Sequence, residues 1–265
     1  MERYLPPELR RSVLSYSFDL YRWLDDQRIP THYIGRIQED PHDLLATIIS
    51  IADKAGNVCT KGIPVMVTRA DMRNIQNPNA RLGRSRNSLA IETDRGDVDV
   101  REGFGLYWNI DQYIEECTKP IIVIDVNIHE RGAKYSHSNI LIIDKNKKTF
   151  ERFEPHGKYA DPAVDGWLKY TFGKILPGYT YIPPIEVCPY PGPQVVTEAG
   201  IREEESDQAG FCYTWSMMYL HARLMNPYMA SKMVVRQLLD ADAGEMADHV
   251  NQYNHFLKSE GIRVA

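Results

Sequence analysis

Cysteine is scarce in this sequence, and the few cysteines lie far apart. The chain of 265 residues contains four, Cys59, Cys117, Cys188 and Cys212, and none of them forms a Cys-x-x-Cys pair. This spacing predicts neither a zinc ribbon nor a disulfide framework. We therefore expect four reduced thiols, as in an intracellular protein, and a reduced thiol is also what a cysteine nucleophile requires.

Long apolar runs and an excess of positive charge are also missing. No apolar stretch approaches the length of a membrane span, and the first residues contain no apolar core of a signal peptide. Acidic residues outnumber basic ones by 36 to 31, which gives a net charge of −5. These features predict a chain without a membrane partner, and they give no electrostatic reason for nucleic-acid binding. Internal repeats are absent as well, which excludes solenoid folds.

The composition is that of an ordinary globular protein, with 43% apolar and 25% charged residues. Apolar periodicity and β-branched runs predict an α+β fold, in which a mixed sheet of about four or five strands is flanked by helices. The predicted strands are Ile63–Thr68, Pro120–Asn127, Ile140–Ile143 and Thr149–Phe153, and the predicted helices are Pro7–Asp26, Asp40–Lys54, Asn109–Cys117, Asp161–Phe172, the segment after Cys212, Met229–Leu239 and Gly244–Ser259.

Two predicted strands place a histidine beside a carboxylate. The apolar run Ile140–Ile143 is followed by a polar segment and then by an alternating stretch, a pattern typical of a β-hairpin. Suppose that Asp144 pairs with Thr149 across this hairpin. Because side chains two residues apart share a face, His137 and Glu154 then lie diagonally on one face of adjacent strands. We expect a carboxylate–imidazole hydrogen bond between them.

Cys212 lies at the predicted start of a helix. After it, Trp215, Met218 and Tyr219 recur at helical spacing, and Pro227 limits the continuation of the helix. A helix N-terminus and a nearby imidazolium both favour the thiolate form of a cysteine. The chain thus offers a cysteine, a histidine and an acid, the three parts of a thiol-nucleophile site. Each of these residues alone also fits a structural role.

The order and spacing of these segments resemble a known group of enzymes. A histidine on one strand, the segment Phe153-Glu-Pro-x-Gly157 ending the next strand, and a cysteine opening a later helix are similar to the adenovirus endopeptidase and the wider clan of ubiquitin-like-protein (SUMO) proteases. The segment Gly210-Phe-Cys-x-x-Trp-Ser216, with a later Asn226-Pro227, is similar to uncharacterised cysteine-peptidase-like proteins of large DNA viruses. The resemblance covers roughly residues 119–226.

The sequence departs from that family at two positions. The family usually has tryptophan after the catalytic histidine, where this chain has Ser138. The family also places a glutamine shortly before the cysteine, and its amide helps to bind the oxyanion. Gln194 and Gln208 both fit this role, and we prefer Gln194, because the Pro-Gly-Pro turn before it fixes a side chain better than an acidic loop would.

The resemblance implies a papain-like, ubiquitin-like-protease-type mixed sheet flanked by helices. It also implies a Cys-His-Glu protease with Cys212, His137 and Glu154 as its triad, needing no cofactor and no metal. The expected substrate is a protein, with ubiquitin or a ubiquitin-like protein among the candidates, and the reaction is either deconjugation or the processing of viral proteins. Two alternatives stay open: an acetyltransferase with the same triad, and an inactive peptidase-fold binding protein.

The resemblance leaves the N-terminal part unassigned. We expect residues 1–100 to form a helical, substrate-binding region and residues 101–265 to form the catalytic core, or both to form one continuous domain. Arg81, Arg84 and Arg86 fit either a solvated loop or a contact with an acidic partner. The resemblance places the protein in the cytoplasm or nucleus of a host cell, or packaged in a virion.

Three further histidines are weaker candidates for the site. His129 is expected to be exposed near a turn, and His221 is expected to pack late in the helix after Cys212. His156 either faces His137 and tunes it, or caps the turn.

Overall fold

A six-stranded mixed sheet forms the centre of the described fold. The computed structural model describes residues 17–32, 51, 55–59, 66–67, 88–94, 97–98, 105–106, 114–130, 137–160, 162–200 and 211–264. The strands of the large sheet are β2 (Ser88–Asp94), β3 (Asp97–Val98), β5 (Ile121–Glu130), β6 (His137–Asp144), β7 (Thr149–Phe153) and β8 (Thr180–Ile182), in the order β3-β2-β5-β6-β7-β8. Strands β1 (Met66–Val67) and β4 (Gly105–Leu106) form a separate two-stranded sheet.

Helices flank this sheet. They are α1 (Leu20–Asp26), α2 (Pro162–Ile175), α3 (Pro184–Val187), α4 (Pro193–Gly200), α5 (Cys212–Met225), α6 (Ser231–Leu238) and α7 (Ala243–Val264). The predicted fold class, an α+β fold with a mixed sheet flanked by helices, is confirmed. The sheet contains more strands than predicted. Strands β2, β3 and β8 were not predicted, and β3 and β8 are too short to give a periodic pattern. The predicted strand Ile63–Thr68 is described only at Met66–Val67, which belongs to the small sheet. Among the described residues, no helix has both the length and the apolar character that crossing a membrane requires.

The β6–β7 hairpin has the register that the sequence predicts. Asp144 pairs with Thr149, and Ile140 pairs with Phe153. The turn is stabilised by Asp144, whose Oδ1 accepts hydrogen bonds from the backbone N–H groups of Asn146 at 3.0 Å and Lys147 at 2.9 Å. A short acidic side chain commonly closes a turn in this way. The register fixes which side chains of β6 and β7 share a face.

Both faces of the central strands β6 and β7 are buried, so β6 is apolar on both sides. Alternate residues of β6 belong to different core clusters: Ile140 and Ile142 pack on the face that carries α5 and α7, and Leu141 and Ile143 pack on the face that carries α2. This explains why the sequence shows a continuous apolar run here and no alternation.

Helix α5 runs through the core and is buried along almost its whole length. Two polar contacts hold it against the sheet. Near its start, Ser216 Oγ donates to the carbonyl oxygen of Ser138 on β6 at 3.0 Å, and near its end Arg223 Nε donates to Glu151 Oε1 on β7 at 2.9 Å. These contacts set the position of the helix along the strands, and therefore the position of Cys212 at its first turn. The predicted packing roles of Trp215 and Tyr219 are confirmed, since both are fully buried.

Several predictions for the N-terminal part fall outside the described residues. These are the start of the helix Pro7–Asp26, nearly all of the helix Asp40–Lys54, and the three arginines Arg81, Arg84 and Arg86. The described part of the first helix begins at Leu20, where Asp19 caps it by accepting from Tyr21 and Arg22 N–H groups. Of the predicted helix Asn109–Cys117, a helical turn at residues 114–116 is described.

The expectation of four reduced thiols is wrong for two of the cysteines. Cys59 and Cys117 form a disulfide with their Cα atoms 6.1 Å apart. Val58 pairs with Ile121 in an isolated bridge, and this pairing carries Cys59 alongside the residues just before β5. The sequence did not predict this disulfide, because the two cysteines are 58 residues apart and form no recognisable spacing motif. A disulfide is typical of oxidising surroundings, so it counts against the reduced, intracellular setting expected from the cysteine pattern.

Loss of this disulfide is expected to lower the stability of the fold. Replacing both Cys59 and Cys117 by serine frees a loop of 58 residues, and we expect the free energy of unfolding to fall by roughly 2–4 kcal/mol. Urea unfolding with and without reductant measures the effect, and the reductant should have no effect on the double variant. Thiol titration of the unfolded, unreduced chain should find the two free thiols of Cys188 and Cys212. Four free thiols would contradict the pairing.

Candidate active site

His137 and Glu154 form the hydrogen-bonded pair that the hairpin register predicts. His137 opens β6, Glu154 follows the last residue of β7, and His137 Nε2 lies 2.5 Å from Glu154 Oε1. The histidine side chain is 16% exposed, and the glutamate is fully buried. A bond between these two atoms fixes the tautomer and the plane of the imidazole ring, and it leaves the other ring nitrogen, Nδ1, for a second partner.

The second partner of His137 is Cys212. Cys212 lies close enough to His137 to be one of the groups that raise the pKa of the imidazole, and it is the first residue of helix α5. The residue before the helix, Phe211, has no side-chain acceptor for the first N–H groups of the helix. These N–H groups and the helix dipole favour negative charge at the first turn, which is where the sulfur lies. The structure thus brings Cys212, His137 and Glu154 together in the predicted order.

Electrostatics favours the charged forms of both His137 and Glu154. Burial alone lowers the pKa of His137, but the Glu154 carboxylate and the hydrogen bonds to Cys212 and Glu154 outweigh it and raise the pKa to about 10. Burial raises the pKa of Glu154, but His137, Arg152 and the backbone N–H of His156 outweigh it and lower the pKa to about 2. At neutral pH the site therefore holds an imidazolium beside a carboxylate, the arrangement that stabilises a neighbouring thiolate.

Arg152 is a residue of this site that sequence reasoning missed. Its side chain is completely buried, and its Nη2 lies 3.5 Å from Glu154 Oε2. The guanidinium also contacts Asp165 of α2 through Nε at 3.1 Å, and donates to the carbonyl oxygen of Ala160 at 3.0 Å. Arg152 thus holds the oxygen of Glu154 that His137 does not use. The available signal was its spacing, because a residue two before Glu154 on a strand lies on the same face.

Gln194 lies close to the acid-bearing loop, but on a helix and not on the predicted turn. It is the second residue of α4, it is buried, and its backbone N–H donates to the carbonyl oxygen of Pro155 at 3.1 Å. One proton of its amide is used, because Nε2 donates to Glu198 Oε1 at 2.7 Å. The role of Gln194 stays a prediction, and Gln208 lies outside the described residues.

His156 faces His137, which was one of the two roles predicted for it. The two imidazole rings stack with their centroids 4.1 Å apart and an angle of 2° between their planes. His137, Glu154 and His156 offer ligand atoms within 4.8 Å of one another. A metal ion lies in the plane of each imidazole that binds it, and two parallel stacked planes share no point. This arrangement therefore suits a stacked pair better than a shared ion.

The sequence named two other histidines as weaker candidates. His221 is buried among Phe18, Trp23 and Phe256, which confirms its predicted packing role. His129 lies on β5, and its side chain is outside the described part of the structure, so its expected exposure stays a prediction.

Glu154→Gln is expected to lower the reaction rate by roughly 10- to 1,000-fold and to flatten the pH dependence of stability. The folded-state pKa of Glu154 is depressed from 4.5 to about 2, so its contribution is present above pH 4.5 and is lost as the pH falls towards 2. The pKa of His137 is raised from 6.5 to about 10, so its contribution is present below pH 6.5 and is lost as the pH rises towards 10. Urea unfolding at several pH values measures both effects.

The matched control is Glu186→Gln, which removes the same charge from an exposed position on α3. It should leave the rate and the pH dependence unchanged. A Glu154→Gln variant whose stability still falls between pH 6.5 and 10 as in the wild type would show that the carboxylate does not hold the His137 proton.

No family model matches the chain. A curated relative, a putative ankyrin repeat protein of Acanthamoeba polyphaga mimivirus, is 33% identical over 105 residues, which is 34% of this chain. The match spans only 14% of the length of that relative.

Solved structures with a similar fold include two of Chlamydia trachomatis effector proteins. The Chlamydia trachomatis effector protein ChlaDUB1 is 9% identical with a TM-score of 0.45, covering 98% of this chain and 96% of that one. The Chlamydia trachomatis effector protein Cdu1 bound to ubiquitin is also 9% identical, with a TM-score of 0.46, covering 85% and 94%.

Proposed function

We propose that this chain is a cysteine protease that hydrolyses peptide or isopeptide bonds. Cys212 is the nucleophile, His137 transfers the proton, and Glu154 orients His137. The observation that carries the proposal is the 2.5 Å contact between buried Glu154 and His137, with Cys212 interacting with His137 from the first turn of a buried helix. This order of acid, base and nucleophile is the arrangement that activates a thiol for acyl transfer.

The chemistry follows from the charge of each group. The Cys212 thiol gives its proton to His137, and the resulting thiolate attacks the carbonyl carbon of the substrate. The C–N bond then breaks, and the imidazolium returns the proton to the leaving amine. Water, activated by neutral His137, attacks the thioester, releasing the carboxylic acid and restoring the thiol. Glu154 keeps one ring nitrogen of His137 bonded throughout, so the other nitrogen always faces the sulfur.

The oxyanion needs donors near the sulfur. The backbone N–H of Cys212 lies at the first turn of α5, where the helix leaves its first N–H groups without intrahelical partners. The second donor in our proposal is the amide of Gln194, whose loop is bonded to the loop that carries Glu154. Two preorganised donors of this kind stabilise the charge that develops in the transition state.

The substrate in this proposal is a protein that carries ubiquitin or a ubiquitin-like modifier. The support is the resemblance of the Phe153–Gly157 segment and of the later cysteine helix to the ubiquitin-like-protein protease clan. The N-terminal part contributes to the same body as the candidate site, since Leu20 and Leu24 of α1 belong to the core cluster that contains Trp215 of α5. Strand β2 also pairs with β5. These contacts favour one continuous domain over a separate substrate-binding region.

The test is covalent labelling with electrophilic probes. Ubiquitin and SUMO probes that end in an alkyne warhead should add one modifier to Cys212, located by mass spectrometry of the digested product. A peptide library then tests endopeptidase activity, and acetyl-CoA with an acceptor protein tests the acyltransferase alternative. Cys212→Ala should abolish the labelling.

Each outcome separates the candidate functions. Labelling of Cys212 together with cleavage of a conjugate or a peptide supports a protease. Acetyl transfer without any cleavage would overturn the proposal in favour of an acyltransferase. Tight, unreactive binding of a ubiquitin-like protein would favour a peptidase-fold binding protein. Labelling of Cys188 would show that the nucleophile is wrongly assigned.

A further inference from the structure

His156 lies against the ring of His137 and also contacts its partner Glu154. Its ring stacks on His137 with the centroids 4.1 Å apart. Its backbone N–H donates to Glu154 Oε1 at 3.0 Å, and its Nδ1 lies 4.0 Å from the same oxygen. Its side chain is 39% exposed, so one side of this ring faces solvent while the other covers the candidate base. His156 is therefore in contact with both the candidate site and the solvent.

The backbone holds His156 in this place, although its side chain is partly exposed. The loop after Glu154 is bonded to the segment that leads into α4 by three backbone hydrogen bonds of 3.1 Å each: Lys158 N–H to Pro189 O, Gly192 N–H to His156 O, and Gln194 N–H to Pro155 O. These two segments, residues 155–158 and residues 189–194, form what we call the loop clamp.

Two glycines allow the close approach within the loop clamp. Gly157 has a φ of +107°, a conformation that other residues rarely adopt. A Cβ atom at Gly192 would lie only 2.3 Å from the backbone nitrogen of Gly157. Because backbone meets backbone here, the position of His156 does not depend on its side chain. A substitution of His156 can therefore change the stack and leave the loop in place.

We propose that His156 is a positioning residue for His137, and that protonation of His156 switches the thiolate–imidazolium pair off at acid pH. This inference rests on the proposed function, because it requires Cys212 to act through His137. A neutral ring stacked on His137 holds the imidazole plane in line with Glu154 and Cys212. A protonated ring in the same place puts a second positive charge beside the imidazolium. This disfavours the protonated form of His137, so the proton returns to the Cys212 sulfur.

The charged and titratable groups around the stack set the sign of this effect. Strand β6 contributes His137, and β7 and its end contribute Arg152 and Glu154. Helix α5 contributes Cys212, which is one of the groups that raise the pKa of His137. Glu154 has its oxygens engaged by His137 and Arg152, and Asp165 of α2 also pairs with Arg152. A proton added to His156 therefore puts a positive charge directly against the His137 ring, while the nearby acids are already paired with His137 and Arg152.

The test uses two substitutions that separate stacking from titration. His156→Phe keeps an aromatic ring for the stack but cannot gain a proton. His156→Ala loses both. The first measurement is the rate at which iodoacetamide alkylates Cys212 between pH 4.5 and pH 9, with the site assigned by mass spectrometry. The second is kcat/KM over the same range, once a substrate is known. His137→Ala serves as the reference for a site without its base.

We expect His156→Ala to lower kcat/KM roughly 2- to 10-fold near neutral pH, since an aromatic stack contributes about that factor, and we expect His156→Phe to restore most of the loss. In His156→Phe the acid limb of the alkylation profile should move to lower pH, by at least about half a pH unit. An unfolding midpoint close to that of the wild type in both variants shows that the loop clamp remains in place.

Other outcomes would overturn the inference. Wild-type profiles in both His156 variants, with a clear loss of alkylation in His137→Ala, would leave the proposed function intact and show that His156 has no part in it. Equal losses in the Phe and Ala variants, without a shift of the acid limb, would indicate a structural contact only. Unchanged alkylation in His137→Ala would remove the proposed function and this inference together.

Discussion

Cys212→Ala is expected to abolish hydrolysis, with kcat falling on the order of 10⁵- to 10⁶-fold, while the protein still folds. The fall is this large because the thiolate forms the covalent bond to the substrate, and nothing nearby replaces it. His137→Ala should reduce the rate to a similar extent, since the thiol then loses the group that accepts its proton. The measurements are kcat on the substrate identified by probe labelling, and thermal unfolding to confirm that the fold is retained.

Cys188 provides the matched control for this experiment. It is the second free thiol among the described residues and is buried, and burial raises its pKa to about 12. A thiol of this kind is a poor nucleophile at neutral pH. We expect Cys188→Ala to keep most of the activity and to leave the iodoacetamide labelling of Cys212 unchanged. An inactive Cys188→Ala together with an active Cys212→Ala would reverse the assignment.

The His137–Glu154 pair was predictable from the sequence because strand pairing obeys strict geometry. Once Asp144 is placed opposite Thr149, the period of two fixes the face of every residue on both strands. The structure has this register, and the two side chains meet at 2.5 Å. The prediction needed only a hairpin without a bulge.

The first residue of α5 was predictable from apolar periodicity, but the position of the helix along the sheet was not. Apolar periodicity indicates where the helix starts, and α5 begins at Cys212 as expected. Its position along the sheet depends on two hydrogen bonds. Ser216 bonds a residue of β6 that is 78 positions away in the chain, and Arg223 bonds a residue of β7 that is 72 positions away. Contacts over such separations leave no periodic signal in the sequence.

Features that arise from the packing of distant segments were missed. Arg152 is completely buried, and a sequence pattern gives no reason to bury an arginine, because the cost of burial is offset only by partners such as Glu154 and Asp165. The disulfide of Cys59 and Cys117 depends in the same way on the short pairing beside Ile121. The contact of Arg152 with Glu154 is local, but its contact with Asp165 and the pairing of the two cysteines depend on how distant segments pack.

Glu151→Gln is expected to cause the largest loss of stability among single substitutions near the site. Glu151 is buried, and its Oε1 accepts from Arg223 Nε at 2.9 Å and from Tyr219 OH at 3.1 Å, while Oε2 accepts from Ser231 Oγ. The Arg223 side chain is only 5% exposed. A neutral amide leaves this guanidinium buried without its counter-charge, so we expect the free energy of unfolding to fall by about 3–5 kcal/mol. Urea unfolding near neutral pH measures it.

A double variant tests whether the loss of stability comes from the buried charge of Arg223 without its counter-charge. Replacing Glu151 by leucine and Arg223 by methionine removes both charges, and part of the lost stability should return, because a buried ion pair can be exchanged for apolar side chains at little cost. Glu154→Gln is the second comparison. It should cost less stability, since Arg152 keeps Asp165 at 3.1 Å, but it should cost far more activity per folded molecule. If Glu151→Gln instead keeps full stability and loses the activity, Glu151 and not Glu154 is the acid that acts on His137.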